Sequence, residues 1–162
     1  RHLDIPDLVV ASPDIGGIHL ARSYARRLGT DLAMLDKRRV KHNVSEVTTL
    51  IGNVGSKNVL MVDDLVDTAG TLLNGIQVLK AKGARNIYVA CTHAILSGDA
   101  HHRIANSPIT KMFLTDTHLI PEEKIVDKME IISVAGLLAD GIIRIHEERS
   151  ISDLFPEKGP VM

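Results

Sequence analysis

The chain has 162 residues, of which 44% are apolar and 24% are charged, and its formal net charge at pH 7 is −1. This length and composition predict a single globular domain over residues 1–162 with a sizeable core. The near-neutral charge argues against a protein that binds nucleic acid through bulk electrostatics. No apolar run approaches the ~20 residues that a membrane span needs. The single cysteine, Cys91, excludes an internal disulfide framework. It favours a reducing compartment, for which we predict the cytoplasm.

Short apolar runs alternate with helical patterns along the chain. Strands are predicted at 8–12, 31–36, 45–51, 59–63, 86–92, 112–115 and 129–134, and helices at 18–28, 72–82, 99–106 and 135–149. Gly29 and Gly83 are placed to end the first two helices. The basic stretch 37–43 has no helical period and is predicted to be a loop. This alternation predicts a doubly wound, mostly parallel α/β sheet, with functional loops gathered at one edge.

One strand–loop–helix segment carries most of the functional information. A buried strand ends in two adjacent acids, Asp63 and Asp64, and a loop of small residues, 67–71, then leads into a helix. Ligands of open α/β sheets bind at the carboxyl ends of the strands, and free N–H groups at a helix N-terminus favour an anion such as phosphate. The combination predicts a site for a phosphorylated sugar. The alternative is an ordinary turn in which Asp67 or Thr68 caps the helix.

Two further strand-end loops are candidates for the same site. After the first strand, Gly16 and Gly17 would let the backbone approach a ligand closely, and Asp14 could hold Mg²⁺ or its bound waters. The alternative is a tight turn into a helix. After the second strand, residues 37–41 carry four cations, which form either a solvated surface loop or a mobile loop that closes over phosphates.

Several segments occur in an order that resembles ribose-phosphate pyrophosphokinase, also called phosphoribosyl pyrophosphate synthetase. They are residues 12–17, 36–39, 43–46, 62–71, 92–98 and 142–155. The segment around 63–71 is shared with type I phosphoribosyltransferases, whereas 36–39 and the tail 150–155 distinguish the synthetase. The resemblance implies a type I phosphoribosyltransferase-like fold. It also implies transfer of the diphosphoryl group of ATP to ribose 5-phosphate with Mg²⁺, which gives 5-phosphoribosyl 1-pyrophosphate and AMP.

The resemblance also implies roles for individual residues. Ribose 5-phosphate would be held by Asp63, Asp64, Asp67, Thr68, Ala69, Gly70 and Thr71. The pyrophosphate loop would contain Asp14, Gly16 and Gly17, with Asp14 also serving the metal. Lys37 and Arg39 would be the catalytic cations that neutralise charge as the diphosphoryl group moves. Ser150 and Ser152 match positions where ADP and phosphate act as regulators.

Chains of the resembling family are roughly twice as long and consist of two similar α/β halves. This sequence therefore resembles the C-terminal half, and the N-terminal half would carry the adenine pocket. We expect little or no synthetase activity from this piece alone, and a homo-oligomer, a hexamer built from dimers, by resemblance.

Two alternatives stay open at this point. A type I phosphoribosyltransferase would need a base-binding hood, for which no segment is a candidate. A non-catalytic, synthetase-associated regulatory subunit could keep the fold, but the presence of Lys37, Arg39, Asp63 and Thr71 argues against it.

Overall fold

The structure is a computed structural model that describes residues 4–38 and 47–155. Its strands are β1 (Leu8–Ser12), β2 (Asp31–Arg38), β3 (Val47–Ile51), β4 (Asn58–Val66), β5 (Ile87–Ala94), β6 (Lys111–Thr115) and β7 (Met129–Ile132). They form one sheet in the order β3-β2-β1-β4-β5-β6-β7. The pair β2–β3 is antiparallel, and every other pair is parallel. The predicted mostly parallel sheet is confirmed.

Helices cover both faces of this sheet. They are α1 (Ile18–Leu28), α2 (Gly70–Ala81), α3 (Ala100–Ala105) and α4 (Ala135–His146), with 3-10 turns at Glu122–Lys124 and Ser152–Leu154. Successive strand residues point to opposite faces. Val10 and Leu60 accordingly pack with α1, whereas Val9 and Met61 pack with α2 and α3 on the other side. The result is the doubly wound arrangement that the sequence predicts.

Most predicted elements have ends within three residues of the observed ones. β1 and α1 have the predicted bounds, and α1 ends at Gly29, whose φ of 63° is left-handed as such a terminator requires. The prediction that Lys37 and Arg38 lie in a loop is wrong, because their backbone pairs with β3. Residues 39–43 of that predicted loop lie outside the described part of the chain, as do residues 45–46 at the predicted start of β3.

The central strand β4 runs three residues beyond its predicted end. It pairs with β5 as far as Val66, opposite Ala94. Asp63 and Asp64 therefore lie inside a paired strand near its carboxyl end, and the loop to α2 begins after them. A strand holds these acids more rigidly than a loop would.

The last strand and helix leave apolar side chains in solvent. On α4, Leu138, Ile142 and Ile145 lie on one helical face and are 61%, 68% and 67% exposed. Ile132, on the edge strand β7, is 49% exposed. Exposed apolar side chains on one helical face, as on α4, are typical of an interaction surface. Across the two described ranges, no helix combines the length and apolar character needed to cross a membrane.

Candidate functional site

A pocket of about 310 Å³ opens at the carboxyl edge of the sheet. Its walls come from the loop after β1, the end of β4 and the start of α2, and they consist of Asp14, Asp63, Asp64, Leu65, Val66, Asp67, Thr68, Ala69, Gly70, Thr71 and Leu72. The fold thus brings together every residue predicted to hold the sugar phosphate, together with the predicted metal ligand. Since β1 and β4 are adjacent and parallel, their ends meet at this edge.

The start of α2 is open to the pocket. Ala69 precedes the first helical residue in a left-handed conformation, with φ 60° and ψ 11°, and no side chain caps the helix. The alternative in which Asp67 or Thr68 caps α2 is therefore wrong. Nothing in the described ranges accepts a hydrogen bond from the N–H groups of Ala69, Gly70 or Thr71. Unused N–H groups at a helix start are suited to bind an anion.

A left-handed alanine is unusual, and it shapes this loop. Such a conformation costs about 1–2 kcal/mol for a residue that has a Cβ. Ala69 is buried, with 5% of its surface exposed. A left-handed residue next to right-handed helical ones turns successive N–H groups in one direction and makes an anion-binding concavity. Backbone strain of this kind is typical of binding loops, whose conformation serves a ligand rather than the backbone preferences of the residues themselves.

The two acids of β4 differ in their surroundings. Asp63 is half-buried and its Oδ1 accepts the N–H of Asp64 at 3.0 Å, whereas Asp64 is exposed. Burial is the main cause that raises the pKa of the Asp63 carboxyl from 3.8 to about 6; the hydrogen bond from Asp64 opposes it, and the negative charges of Asp64 and Asp14 add to it. Asp63 is thus ionised at neutral pH, and a cation or hydroxyl donor bound beside it would stabilise its charge.

Cys91 lies in the adjacent strand β5, where it is the register partner of Asp63. Burial, followed by the negative charge of Asp63, raises the pKa of its thiol to about 12. The thiol therefore stays protonated, and its single S–H lies within hydrogen-bond distance of two backbone oxygens, those of His93 at 3.4 Å and Asp64 at 3.7 Å. Cys91 is therefore a buried, inert residue rather than a nucleophile.

The glycine pair after β1 has a local structural reason. A Cβ at Gly17 would lie 2.9 Å from the Ser12 Oγ, and one at Gly16 would lie 3.2 Å from the Asp14 Oδ1. The Gly17 N–H donates to that Asp14 oxygen at 2.9 Å, and the Ser12 hydroxyl donates to the Asp14 carbonyl at 2.7 Å. The tight turn into α1 therefore leaves little room for a Cβ at either position. Neither lines the pocket that Asp14 enters.

A metal ion bound at this edge would have few protein ligands. Within residues 4–38 and 47–155, no three His, Cys, Asp or Glu side chains are placed to enclose a metal ion. Asp14, Asp63 and Asp64 do face one pocket. Mg²⁺ commonly keeps several waters and takes only one or two carboxylates plus substrate phosphates. The acids present fit a metal held in that way.

The predicted regulatory serines lie away from the pocket walls, and Lys37 belongs to β2. The backbone of Lys37 pairs with Thr48. Because β2 runs parallel to β1, Lys37 lies toward the same sheet edge as Asp14. Arg39 lies outside the described residues. Ser150 and Ser152 follow α4, where the Ser152 N–H donates to the Ser150 Oγ at 3.1 Å, and neither lines the pocket.

One residue that contacts the site was not predicted from the sequence. Arg103, on α3, donates from Nη1 to the Thr68 carbonyl at 3.0 Å. The two residues are 35 positions apart, and nothing in the local pattern of α3 marks this arginine. Only the tertiary packing reveals the contact.

Comparison with known proteins gives one consistent result. The family described as the phosphoribosyl synthetase-associated domain matches residues 36–156. Ribose-phosphate pyrophosphokinase 1 of Listeria innocua is 48% identical over 155 residues, which are 96% of this chain and 48% of that protein. The ribose-phosphate pyrophosphokinase of Caldanaerobacter subterraneus is 50% identical over 149 residues, 92% of this chain and 47% of that protein.

Solved structures agree with these sequence relatives. The crystal structure of phosphoribosylpyrophosphate synthetase from Mycobacterium smegmatis superposes with a TM-score of 0.82 at 33% identity, covering 88% of this chain and 46% of that one. The APRTase of Giardia lamblia, at 23% identity and a TM-score of 0.56 over 68% of this chain and 70% of that one, shares the fold alone. The predicted phosphoribosyltransferase-like fold is confirmed. This chain spans about half the length of the curated relatives it matches.

Proposed function

The chain belongs to the phosphoribosyl synthetase-associated domain family, and we propose that it supplies the ribose 5-phosphate site and the catalytic loop of a ribose-phosphate diphosphokinase. The reaction transfers the diphosphoryl group of ATP to ribose 5-phosphate and gives 5-phosphoribosyl 1-pyrophosphate and AMP. The observation that carries the proposal is that the uncapped start of α2 and the two acids of β4 share one pocket. A sugar phosphate needs donors for its phosphate and acceptors for its hydroxyls, and this pocket offers both.

The 5-phosphate would bind in the loop of residues 67–71, namely Asp67, Thr68, Ala69, Gly70 and Thr71. The unused N–H groups there support this role, and the Thr71 hydroxyl can add a further donor. Asp63 and Asp64 would accept from the ring hydroxyls. A bound hydroxyl or metal would stabilise the charge of Asp63, because it offsets the burial that raises the pKa of this carboxyl.

Asp14, Gly16 and Gly17 would form the pyrophosphate loop, and Asp14 would also hold Mg²⁺. The position of Asp14 beside Asp63 in the pocket supports this placement. When bound, Mg²⁺ would neutralise phosphate charge on the moving diphosphoryl group. The polypeptide's own part is to align the anomeric hydroxyl with ATP, since this chemistry depends on positioning and charge compensation.

Lys37 and Arg39 would supply the cations that act during transfer. The placement of β2 beside β1 supports this role, because it directs the end of β2 toward the edge where the pocket opens. Their charges would matter most as the diphosphoryl group leaves ATP, which is the step where negative charge redistributes.

Because the chain spans about half the length of its relatives, we propose that ATP is bound with the help of a second half like theirs. This chain alone would then turn over little or no substrate. ADP and phosphate would act as regulators near Ser150 and Ser152, which lie beyond α4. A cytoplasmic location is part of the same proposal.

We also propose a homo-oligomer, of which a hexamer is the expected form. The exposed apolar face of α4 supports it, since Leu138, Ile142 and Ile145 would be covered in an assembly. Light scattering of the purified chain measures the assembly directly, and a strictly monomeric protein at high concentration would contradict it.

Product analysis tests the proposed reaction. A full-length protein that contains this sequence is incubated with ATP, ribose 5-phosphate and Mg²⁺, and we expect AMP and 5-phosphoribosyl 1-pyrophosphate in equal amounts. Release of pyrophosphate only when a nucleobase and 5-phosphoribosyl 1-pyrophosphate are supplied would instead identify a phosphoribosyltransferase. Absence of turnover with intact ribose 5-phosphate binding would identify a regulatory subunit.

A further inference from the structure

The loop that lines the pocket is tied from outside to a helix distant in sequence. The exposed side chain of Arg103 reaches from α3 and donates to the carbonyl of Thr68 at 3.0 Å. α3 itself is anchored, because Ala100 and Ile104 are fully buried in the same core as Leu72 of α2. Arg103 is absent from the pocket walls. It therefore reaches the site through the loop backbone.

The peptide group between Thr68 and Ala69 transmits this contact. Among the described residues no peptide bond is cis, so the Thr68 C=O and the Ala69 N–H lie in one plane and point in opposite directions. When Arg103 holds the carbonyl, the Ala69 N–H is directed the other way. Thr68, Ala69 and Gly70 all line the pocket, and the unused N–H is then available to an anion there.

A competing orientation of this peptide is available to the loop. Ala69 has φ 60°, which is unfavourable for a residue with a Cβ. Rotating the Thr68–Ala69 peptide by half a turn would return Ala69 to negative φ and relieve that strain. It would also bring the Thr68 carbonyl oxygen toward the phosphate position, where an oxygen dipole repels an anion. The rotation would break the hydrogen bond to Arg103.

We propose that Arg103 is a positioning residue of the phosphate-binding loop, which holds the Thr68 carbonyl out of the pocket so that the Ala69 N–H faces the phosphate. The inference rests on the proposed function, since it assigns the loop to a phosphate. Beyond that function, we infer that α3 is coupled to the site through the backbone carbonyl of Thr68. Loss of the guanidinium allows the Thr68–Ala69 peptide to rotate to its unstrained orientation, which weakens the contact with the phosphate. Asp63 and Asp64, which would hold the sugar ring, are not affected.

Three variants separate positioning from simple charge. Arg103→Met removes both the guanidinium donor and its positive charge. Arg103→Lys keeps the positive charge and an ammonium donor on a shorter side chain. The matched control is Arg85→Met, which removes an exposed arginine that pairs with Asp7 and does not contact the loop. Each purified chain is titrated calorimetrically with ribose 5-phosphate and with inorganic phosphate. The titrations are repeated at high ionic strength, where long-range attraction is screened.

We expect Arg103→Met to weaken both ligands about tenfold or more, since a charge-assisted hydrogen bond is lost and the loop peptide is freed. The loss persists at high ionic strength. Arg103→Lys recovers most of the affinity, and Arg85→Met binds like the wild type. In the unliganded protein, NMR hydrogen exchange or relaxation at the Ala69 amide changes in Arg103→Met and not in Arg85→Met. If Arg103 had a merely structural role, Arg103→Met would lower the stability of the fold. The exchange or relaxation of the Ala69 amide and the affinities for both ligands would then stay unchanged.

The possible failures are distinguishable. If wild-type protein binds neither ligand, the proposed phosphate site is wrong, and this inference falls with it. If wild type binds and Arg103→Met binds equally well, the site stands and the positioning role of Arg103 is refuted. If the loss in Arg103→Met disappears at high salt, the arginine acts by charge alone, which also refutes the positioning role. Circular dichroism of each variant confirms that it is folded.

Discussion

Replacing Asp63 by asparagine should stabilise the fold while it impairs the site. The Asp63 carboxyl is half-buried, and its pKa is raised from 3.8 to about 6, chiefly by burial. A carboxyl whose folded pKa lies above its unfolded value favours folding most at low pH. That advantage is lost as pH rises through about 6, so the ionised side chain destabilises the protein at neutral pH. The asparagine side chain of the Asp63→Asn variant has nearly the same shape and cannot ionise.

The size of the effect follows from the two pKa values. The difference between 3.8 and about 6 sets an upper limit of about 3 kcal/mol, at 1.36 kcal/mol for each tenfold change in proton affinity. Asp63 is half-exposed, so solvent screening reduces this figure, and we expect a gain of about 1 kcal/mol at pH 8. For a domain of this size, that gain raises Tm by about 2–4 °C.

Urea unfolding of the wild type and the Asp63→Asn variant at pH 8 and at pH 4 measures the gain. We expect the variant to be more stable at pH 8 and equal to the wild type near pH 4, where Asp63 is protonated when folded. Asp127→Asn, at an exposed acid outside the pocket, should show no such pH-dependent difference. A variant that is less stable at pH 8, or a gain that is the same at both pH values, would refute the electrostatic reasoning.

Three other substitutions test separate parts of the account. Thr71→Val should weaken ribose 5-phosphate by about 1–3 kcal/mol in calorimetric titration, because a phosphate contact is left unsatisfied; unchanged binding would remove the hydroxyl from the site. Gly17→Ala should destabilise by about 1–3 kcal/mol in thermal unfolding, since its Cβ would meet the Ser12 Oγ at 2.9 Å. Gly136→Ala, with nothing within 4 Å, is its neutral or stabilising control, and equal losses would contradict the steric argument. Within a full-length enzyme, Lys37→Ala should lower kcat by orders of magnitude and leave ribose 5-phosphate binding nearly unchanged; a normal kcat would remove Lys37 from catalysis.

The pocket could be predicted because its parts are local in sequence. Residues 63–71 contain the strand end, the acids and the helix start in one run, and parallel sheets place such ends at one edge. Asp14 joined them because β1 lies beside β4. The alternation of strands and helices predicts a parallel sheet whose carboxyl ends share one edge, but it does not by itself predict that β1 and β4 are neighbours.

Other features depend on contacts that no local pattern encodes. β2 extends through Lys37 and Arg38 because β3 pairs with it, although a run of cations favours a loop. The contact of Arg103 with Thr68 joins two segments that are 35 residues apart. Gly17 shows a different limit: the sequence predicts that its backbone approaches a ligand, and it does not show that the Ser12 hydroxyl within the same chain also requires a glycine there.

A crystal structure of this chain with ribose 5-phosphate would show whether the phosphate binds at the start of α2. We expect the phosphate to lie within hydrogen-bond distance of the N–H groups of Ala69, Gly70 and Thr71. We also expect the ring hydroxyls to contact Asp63 and Asp64. A sugar phosphate bound with its phosphate away from the start of α2, or an empty pocket at saturating ligand, would contradict the proposed site.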